Sequence, residues 1–189
     1  IAVDCANGAY STIAPHVLAH FGASVQIIHG KPDGFNINKE CGSLHPESLQ
    51  ATVCKQNAHI GFAFDGDGDR LTVVSKDGIV KDGDDIVAVL SRHPRYRSAT
   101  EYVGTVMSNE GLAHHFREQG RTFLRTPVGD KYVIEKLKEL NLPLGGEPSG
   151  HTILRDFSEI ADGLFTALRV AETLAQTGNW SMETFKHFP

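Results

Sequence analysis

The sequence predicts an α/β protein made of two similar three-layer α/β/α domains with mixed, mainly parallel sheets. Short apolar runs typical of buried strands alternate with segments whose apolar residues recur at the helical period. The connections are mostly short and carry Gly, Pro, Asn or Asp. The alternation starts again near Val80, so we expect one domain over residues 1–79 and a second over residues 80–189.

The first half begins with a strand, a helix and a second strand. This order predicts a parallel β-α-β unit with a right-handed crossover. Ser11 or Thr12 can cap the first helix and Gly22 can end it, while Pro46 can open the next helix and Asn57 can close it. The predicted strands cover 1–4, 25–28, 60–64 and 71–74, with a hairpin turn at 77–78, and the predicted helices cover 12–21 and 46–55.

The second half repeats the alternation of helices and strands. Asn109 or Ser108 can cap one helix, Asp130 can cap the next, and Asp162–Gly163 can open the last. The predicted helices cover 84–91 and 109–119 and start again at 130 and 163, and the predicted strands cover 102–107, 122–126, a stretch near 144 and 152–154.

The stretch from Phe64 to Arg70 carries three carboxylates, Asp65, Asp67 and Asp69, separated by single glycines. Alternation along an extended segment can bring the three side chains to one side, and the glycines let the backbone curl. At a separation of ~4 Å each pair would repel by about 4 kcal/mol at an effective dielectric of 20. A hard cation compensates for this repulsion, and Mg²⁺ favours a few carboxylates with water and a phosphate oxygen. Arg70 follows directly and could clamp a phosphate held by the same ion.

Two other interpretations of this stretch are a solvated acidic turn and a calcium loop of the EF-hand type. Apolar runs on both sides hold the loop in place, which disfavours the solvated turn. The EF-hand pattern requires Gly where Arg70 stands and Glu where Lys76 stands. The sequence therefore favours a magnesium site.

A second polar loop runs from Gly146 to His151. Glu147 and Ser149 are two residues apart and can face one way, where a carboxylate and a hydroxyl suit vicinal sugar hydroxyls. His151 could transfer protons near neutral pH. A glycine-rich connection between strands with an incidentally polar edge explains the same residues equally well.

The turn Gly129–Asp130–Lys131 lies between a predicted strand and a predicted helix. Free N–H groups at a helix N-terminus attract anions, and Lys131 adds positive charge. Judged locally, a plain helix cap is the simpler explanation.

Composition excludes several function classes. A formal net charge of −5 gives no general affinity for nucleic acid, and the cluster Arg92, His93, Arg95 and Arg97 is interpreted as a solvated loop. Three cysteines without a C-x-x-C pair favour reduced thiols and a cytoplasmic location, with Cys5 and Cys54 as core residues. No apolar run is long enough to cross a membrane. The chain starts within a strand and without Met, so we expect it to be part of a longer protein.

Taken together, these loops resemble the α-D-phosphohexomutase superfamily over essentially the whole chain. The stretches Asn36-Ile37-Asn38, Cys41-Gly42-Ser43 and Met107-Ser108-Asn109 resemble its glucosamine branch. The further matches are Asp4 to Ala9, Asp65 to Arg70, Val128 to Val133 and Gly146 to His151.

The resemblance implies the roles of the polar residues and the parts that lie outside this chain. Members have four domains, and this chain looks like the second and third, without the phosphoserine loop of the first or the phosphate-binding loop of the fourth. The acidic triad is implied to bind Mg²⁺ with a phosphoserine oxygen as a further ligand, and Arg70 to contact the transferring phosphoryl group. Glu147 and Ser149 are implied to hold sugar hydroxyls, and the turn Gly129–Lys131 to help orient the sugar.

The reaction implied is the interconversion of glucosamine 6-phosphate and glucosamine 1-phosphate through a phosphoserine enzyme and a bisphosphorylated sugar. The mannose- and glucose-phosphate branches remain alternatives, as does a non-catalytic module that binds a metal or a phosphosugar. The resemblance leaves a homodimer open for the full-length chain. Because the phosphoryl carrier is missing, we expect the 189-residue chain to be inactive alone.

Overall fold

The computed structural model describes residues 1–188 and contains two sheets. In the first sheet the strand order is β2-β1-β3-β4-β5. Strands β2, β1 and β3 run parallel, whereas β4 pairs antiparallel with both β3 and β5. The strands are β1 Ala2–Asp4, β2 Gln26–Ile28, β3 Ile60–Phe64, β4 Leu71–Ser75 and β5 Val80–Lys81.

The second sheet has the order β7-β6-β8-β9. Strand β6 runs parallel to β7 and β8, and β8 pairs antiparallel with β9. These strands are β6 Glu101–Thr105, β7 Thr122–Thr126, β8 Leu144–Gly146 and β9 Thr152–Leu154. The prediction of an α/β fold with mixed, mainly parallel sheets is confirmed.

Helices cover both faces of each sheet, because alternate strand residues point to opposite sides. Helix α2 packs on one face of the first sheet through Leu49 and Val53, and α5 packs on one face of the second through Val133 and Leu137. The helices are α1 Ile13–His20, α2 Glu47–Gln56, α3 Gly83–Leu90, α4 Glu110–Glu118, α5 Asp130–Glu139 and α6 Gly163–Thr177.

On the faces of the two sheets that α2 and α5 do not cover, a single large hydrophobic cluster joins the sheets. It contains Phe62 and Val73 of the first sheet, Leu144 and Leu154 of the second, and residues of α3 and α6. Helix α6 touches β3, β4 and β9, so it bridges the two halves. This shared core positions the loops of one half against the loops of the other.

The structure differs from the sequence predictions at several positions. The predicted second domain starts at residue 80, but Val80 and Lys81 pair with β4 of the first sheet. Gly129, not Asp130, occupies the N-cap of α5. Cys54 is exposed because α2 turns Leu49 and Val53 to the sheet, and His93 of the supposed solvated loop is buried beside Glu172. Within residues 1–188, no helix is both long and apolar enough to span a bilayer.

Candidate functional site

The acidic loop connects β3 to β4 at the carboxyl end of β3. Open α/β sheets bind ligands at this edge of their parallel strands. One carboxylate oxygen each of Asp65, Asp67 and Asp69 lies within 4.8 Å of the other two. The structure thus brings together the three carboxylates that the sequence singled out.

Asp65 anchors the loop from inside. Its side chain is buried, and its Oδ1 accepts hydrogen bonds from the backbone N–H groups of Gly68 and Arg70, both at 3.1 Å. Burial raises the pKa of Asp65 to about 6, although the Arg70 N–H opposes this rise; the charge of Asp69 adds to it. The Arg70 Nε lies 3.6 Å from Asp65 Oδ2. The loop therefore pays a free-energy cost to carry its negative charge unless a cation is bound.

The environment of the Asp69 carboxylate tests whether a cation would fit between the three aspartates. Its Oδ1 is buried and has no hydrogen-bond partner among the described residues. Leaving a buried acceptor unpaired costs about 1–3 kcal/mol, and more when the group is charged. An oxygen-only donor set with one buried, unsatisfied oxygen suits a hard divalent ion such as Mg²⁺. Asp67 is exposed and completes the set from the solvent side.

Backbone contacts from two distant segments hold the acidic loop. The N–H of Ala9 donates to Gly66 O at 2.8 Å, and the N–H of Gly163, the first residue of α6, donates to Gly68 O at 2.9 Å. A Cβ on Gly163 would lie 2.8 Å from that carbonyl, so the approach requires glycine. Gly68 itself has φ +86°, a conformation that side chains rarely adopt.

The loop Glu147–His151 lies directly against the acidic loop. Arg70 and His151 form an antiparallel bridge, and the N–H of Leu71 donates to Gly150 O at 3.2 Å. The Arg70 Nε lies 3.3 Å from His151 Nε2. Two loops that are far apart in sequence thus form one site.

His151 lies at the centre of this contact. Its Nε2 is 3.1 Å from Asp69 Oδ2, and its Nδ1 is 3.1 Å from Glu147 Oε2 and 3.2 Å from Ser149 Oγ. Each ring nitrogen therefore faces a carboxylate oxygen. The imidazole connects the candidate metal loop with the candidate sugar loop.

The turn before α5 joins the site through its backbone. Glu147 is 4% exposed, and its Oε1 accepts a hydrogen bond from the N–H of Gly129 at 2.9 Å. Asp130 accepts from the N–H of Lys131 at 2.7 Å, and the exposed Lys131 places its Nζ 4.6 Å from the ring of Tyr132. The structure thus brings Gly129 into contact with Glu147, whereas Asp130 and Lys131 make local contacts beside it.

Sequence reasoning missed the residues that hold the acidic loop. In the sequence, Gly8 belongs only to the matched stretch Asp4 to Ala9, and Asp162–Gly163 indicates only a helix start. A Cβ on Gly8 would lie 2.3 Å from Gly66 O, and Tyr10 reaches Asp162 with its hydroxyl. Their partners are remote in sequence, and the local pattern gives no signal for such contacts.

Two family profiles match the chain. The profile described as phosphoglucomutase/phosphomannomutase, alpha/beta/alpha domain II, matches residues 1–78, and that of alpha/beta/alpha domain III matches residues 82–189. The chain belongs to the phosphoglucomutase/phosphomannomutase family.

Two curated relatives of the chain are phosphoglucosamine mutases. The phosphoglucosamine mutase of Rhodospirillum centenum is 44% identical over 191 residues, covering 100% of this chain and 40% of the relative. The phosphoglucosamine mutase of Gluconacetobacter diazotrophicus is 46% identical over 192 residues, covering 100% of this chain and 42% of the relative. The chain thus spans about two fifths of the length of these relatives.

Solved structures show the same fold. A phosphoglucomutase/phosphomannomutase family protein of Burkholderia thailandensis superposes with a TM-score of 0.86 at 34% identity, covering 95% of this chain and 40% of that protein. An Aspergillus fumigatus N-acetylphosphoglucosamine mutase, solved in complex with GlcNAc-6P and magnesium, gives a TM-score of 0.78 at 19% identity. That comparison covers 100% of this chain and 49% of the fungal protein, and supports the fold alone.

Proposed function

We propose that this chain is the metal- and sugar-binding middle of a phosphoglucosamine mutase. The larger enzyme would interconvert glucosamine 6-phosphate and glucosamine 1-phosphate through a phosphoserine and a bisphosphorylated sugar. The observation that carries the proposal is the convergence of three carboxylates within 4.8 Å directly beside Arg70 and the Glu147–His151 loop. Residues 1–81 and 82–189 would form the two domains involved, because Val80 and Lys81 pair with the first sheet.

In this proposal Asp65, Asp67 and Asp69 hold Mg²⁺. The ion, when bound, would neutralise charge on the phosphoryl oxygens, and charge neutralisation is a main requirement of phosphoryl transfer. Two observations support this role: the buried Oδ1 of Asp69 has no hydrogen-bond partner within residues 1–188, and Asp65 is buried. A bound cation would offset the cost of burying these acidic groups.

Arg70 would contact the transferring phosphoryl group. Its backbone is fixed by the hydrogen bond to Asp65, and its Nε lies between Asp65 Oδ2 and His151 Nε2, at 3.6 and 3.3 Å. A guanidinium held in this way is oriented before substrate arrives, which reduces the entropy lost on binding.

Glu147 and Ser149 would bind sugar hydroxyls. Glu147 is fixed by the Gly129 N–H and by His151, so its carboxylate is oriented, and each of its oxygens has a further lone pair for a hydroxyl donor. The turn Gly129–Asp130–Lys131 would orient the sugar from the other side, with the exposed Lys131 available to an anionic group.

His151 would exchange a proton with the reacting hydroxyl. Its two nitrogens lie between Glu147 and Asp69, so a proton taken at one nitrogen is stabilised by a neighbouring carboxylate. The hydroxyl oxygen would thereby gain nucleophilicity towards the phosphoryl group. We also propose a cytoplasmic setting, in line with the three free cysteines.

A second candidate is a phosphomannomutase or phosphoglucomutase activity, because the matching family profiles carry those names. Turnover of glucosamine, mannose and glucose phosphates by the complete enzyme separates the two. Preference for glucosamine phosphates by at least tenfold in kcat/KM supports the first proposal, and preference for either other sugar supports the second.

Metal binding tests the proposed site on the chain itself. Titration with Mn²⁺, followed by the electron paramagnetic resonance signal of the free ion and by competition with Mg²⁺, should show one site in the wild type and none in Asp67→Ala. Asp77→Ala is the matched control, because Asp77 is an exposed carboxylate in the turn between β4 and β5. Equal binding by wild type and Asp67→Ala would refute the proposed site.

A further inference from the structure

Three hydrogen bonds form a closed ring around the acidic loop and involve residues from both halves. On one side the N–H of Ala9 donates to Gly66 O, and on the other the N–H of Gly163 donates to Gly68 O. The residues next to these two donors are Tyr10 and Asp162. The Tyr10 hydroxyl donates to Asp162 Oδ1 at 3.0 Å and closes the ring.

Tyr10 also supports the loop with its ring. The ring packs edge-on against Phe64, with centroids 5.1 Å apart, at the point where β3 enters the loop. A Cβ on Gly68 would lie 2.6 Å from Tyr10 Cε2, so the ring lies directly against the backbone between Asp67 and Asp69. Widening of the loop on this side would require the tyrosine to move.

Asp162 connects the tyrosine to helix α6. Its Oδ1 also accepts from the N–H of Phe165 at 2.8 Å, which is the N-cap hydrogen bond of α6. This carboxylate therefore fixes both the first turn of α6 and the Tyr10 hydroxyl. The N–H of Gly163, which holds Gly68, belongs to the same turn.

On the basis of the proposed metal site, we propose that Tyr10 is a positioning residue for the three carboxylates, acting through Asp162 and the α6 N-terminus. Like charges within 4.8 Å repel, so the metal-free loop tends to open. The Tyr10–Asp162 hydrogen bond links the two backbone contacts that oppose this opening. Without it, cation binding must also restore the closed loop, and affinity falls.

The test compares Tyr10→Phe with Tyr96→Phe in the 189-residue chain, using Mn²⁺ as the probe. Tyr96 is a matched control because its hydroxyl also donates to an aspartate, Asp156 Oδ1 at 2.7 Å, away from the acidic loop. We expect Tyr10→Phe to raise the Kd for Mn²⁺ about fivefold, equivalent to about 1 kcal/mol, and Tyr96→Phe to leave it within twofold. Tyr10→Ala, which also removes the ring, should weaken binding more.

A purely structural role predicts a different result. In that case Tyr10→Phe lowers the melting temperature but leaves the Kd for Mn²⁺ within twofold of wild type, which would overturn the inference. Equal weakening by Tyr96→Phe would overturn it as well. As a second measurement, the Gly163 amide should exchange with deuterium faster in Tyr10→Phe, and unchanged exchange would contradict the link through α6.

The two proposals can fail separately. If the wild-type chain binds no Mn²⁺ that depends on Asp67, the proposed metal site is wrong and the role of Tyr10 falls with it. If the wild type binds Mn²⁺ and Tyr10→Phe binds equally well, only the role of Tyr10 is wrong. Asp162→Asn, which keeps an oxygen acceptor, should lose less affinity than Asp162→Ala, and equal losses would also count against the inference.

Discussion

Replacing Asp67 by Asn should stabilise the metal-free chain and abolish its stabilisation by a divalent cation. Asp67 is exposed and lies within 4.8 Å of both Asp65 and Asp69, so the substitution removes two repulsive pairs. At 4.8 Å one pair repels by about 3.5 kcal/mol at an effective dielectric of 20, and by about 0.9 kcal/mol at that of water. Because Asp67 is exposed, the lower value applies and salt reduces it further.

We therefore expect a gain of about 1 kcal/mol in the free energy of unfolding without metal. For a chain of this size, that corresponds to a rise in melting temperature of about 2–4 °C. With Mg²⁺ at about thirty times its Kd, the wild type gains about 2 kcal/mol by mass action, and the variant gains none. The variant should therefore be more stable than the wild type without metal, and less stable than the wild type in Mg²⁺.

The assay is thermal unfolding in EDTA and in Mg²⁺, followed by circular dichroism at constant ionic strength. Asp77→Asn serves as the control, because Asp77 is an exposed carboxylate outside the acidic loop, and its response to Mg²⁺ should match that of the wild type. A variant that is less stable than wild type in EDTA, or equally stabilised by Mg²⁺, would refute the reasoning.

Three further outcomes follow from the same structure. Gly163→Ala should weaken Mn²⁺ binding by about tenfold or more, because its Cβ would lie 2.8 Å from the carbonyls of Arg70 and Gly68; an unchanged Kd would contradict this contact. Burial raises the pKa of Asp84 to about 6, against the opposing Asn109 N–H, so the folded state binds its proton more tightly than the unfolded state does. The free energy of unfolding should then fall as pH rises from about 4 to 6, by up to roughly 3 kcal/mol, and urea unfolding should show a shallower fall in Asp84→Asn. The 189-residue chain should show no mutase turnover in a coupled assay, and robust turnover would contradict the need for a separate phosphoryl carrier.

Much of the fold could be predicted from the sequence because its signals are local. The runs Ile60–Phe64 and Thr122–Thr126 form strands at the predicted positions, since each is rich in apolar or β-branched residues. Asn57 ends α2, as predicted, and it does so in the left-handed conformation. The antiparallel pairing of Val80–Lys81 with β4 confirms the hairpin turn predicted at 77–78. The sequence nevertheless placed Val80 in the second domain, since a two-residue edge strand has no periodicity of its own.

The sequence predicts the reactive groups of the candidate site, but not the residues that hold the acidic loop in place. Three alternating aspartates are conspicuous because their repulsion needs a compensating cation. The contacts of Gly163 with Gly68 and of Tyr10 with Asp162 cross from one half to the other. Such contacts depend on how α6 packs between the sheets, and neither residue differs locally from an ordinary helix start or turn. Likewise, the hydrogen bond from the N–H of Gly129 to Glu147 could not be predicted from the sequence, because the two residues meet only in the tertiary structure.

The central claim is that the acidic loop exists to hold a divalent cation against the proposed sugar-binding loop Glu147–His151. A crystal structure of the chain grown with Mn²⁺, examined by anomalous scattering, tests this claim most directly. We expect one strong peak about 2.2 Å from an oxygen of each of Asp65, Asp67 and Asp69, with the Asp69 Oδ1 among the ligands. Carboxylates that stay splayed apart, with the ion bound elsewhere or absent at saturating Mn²⁺, would contradict the claim.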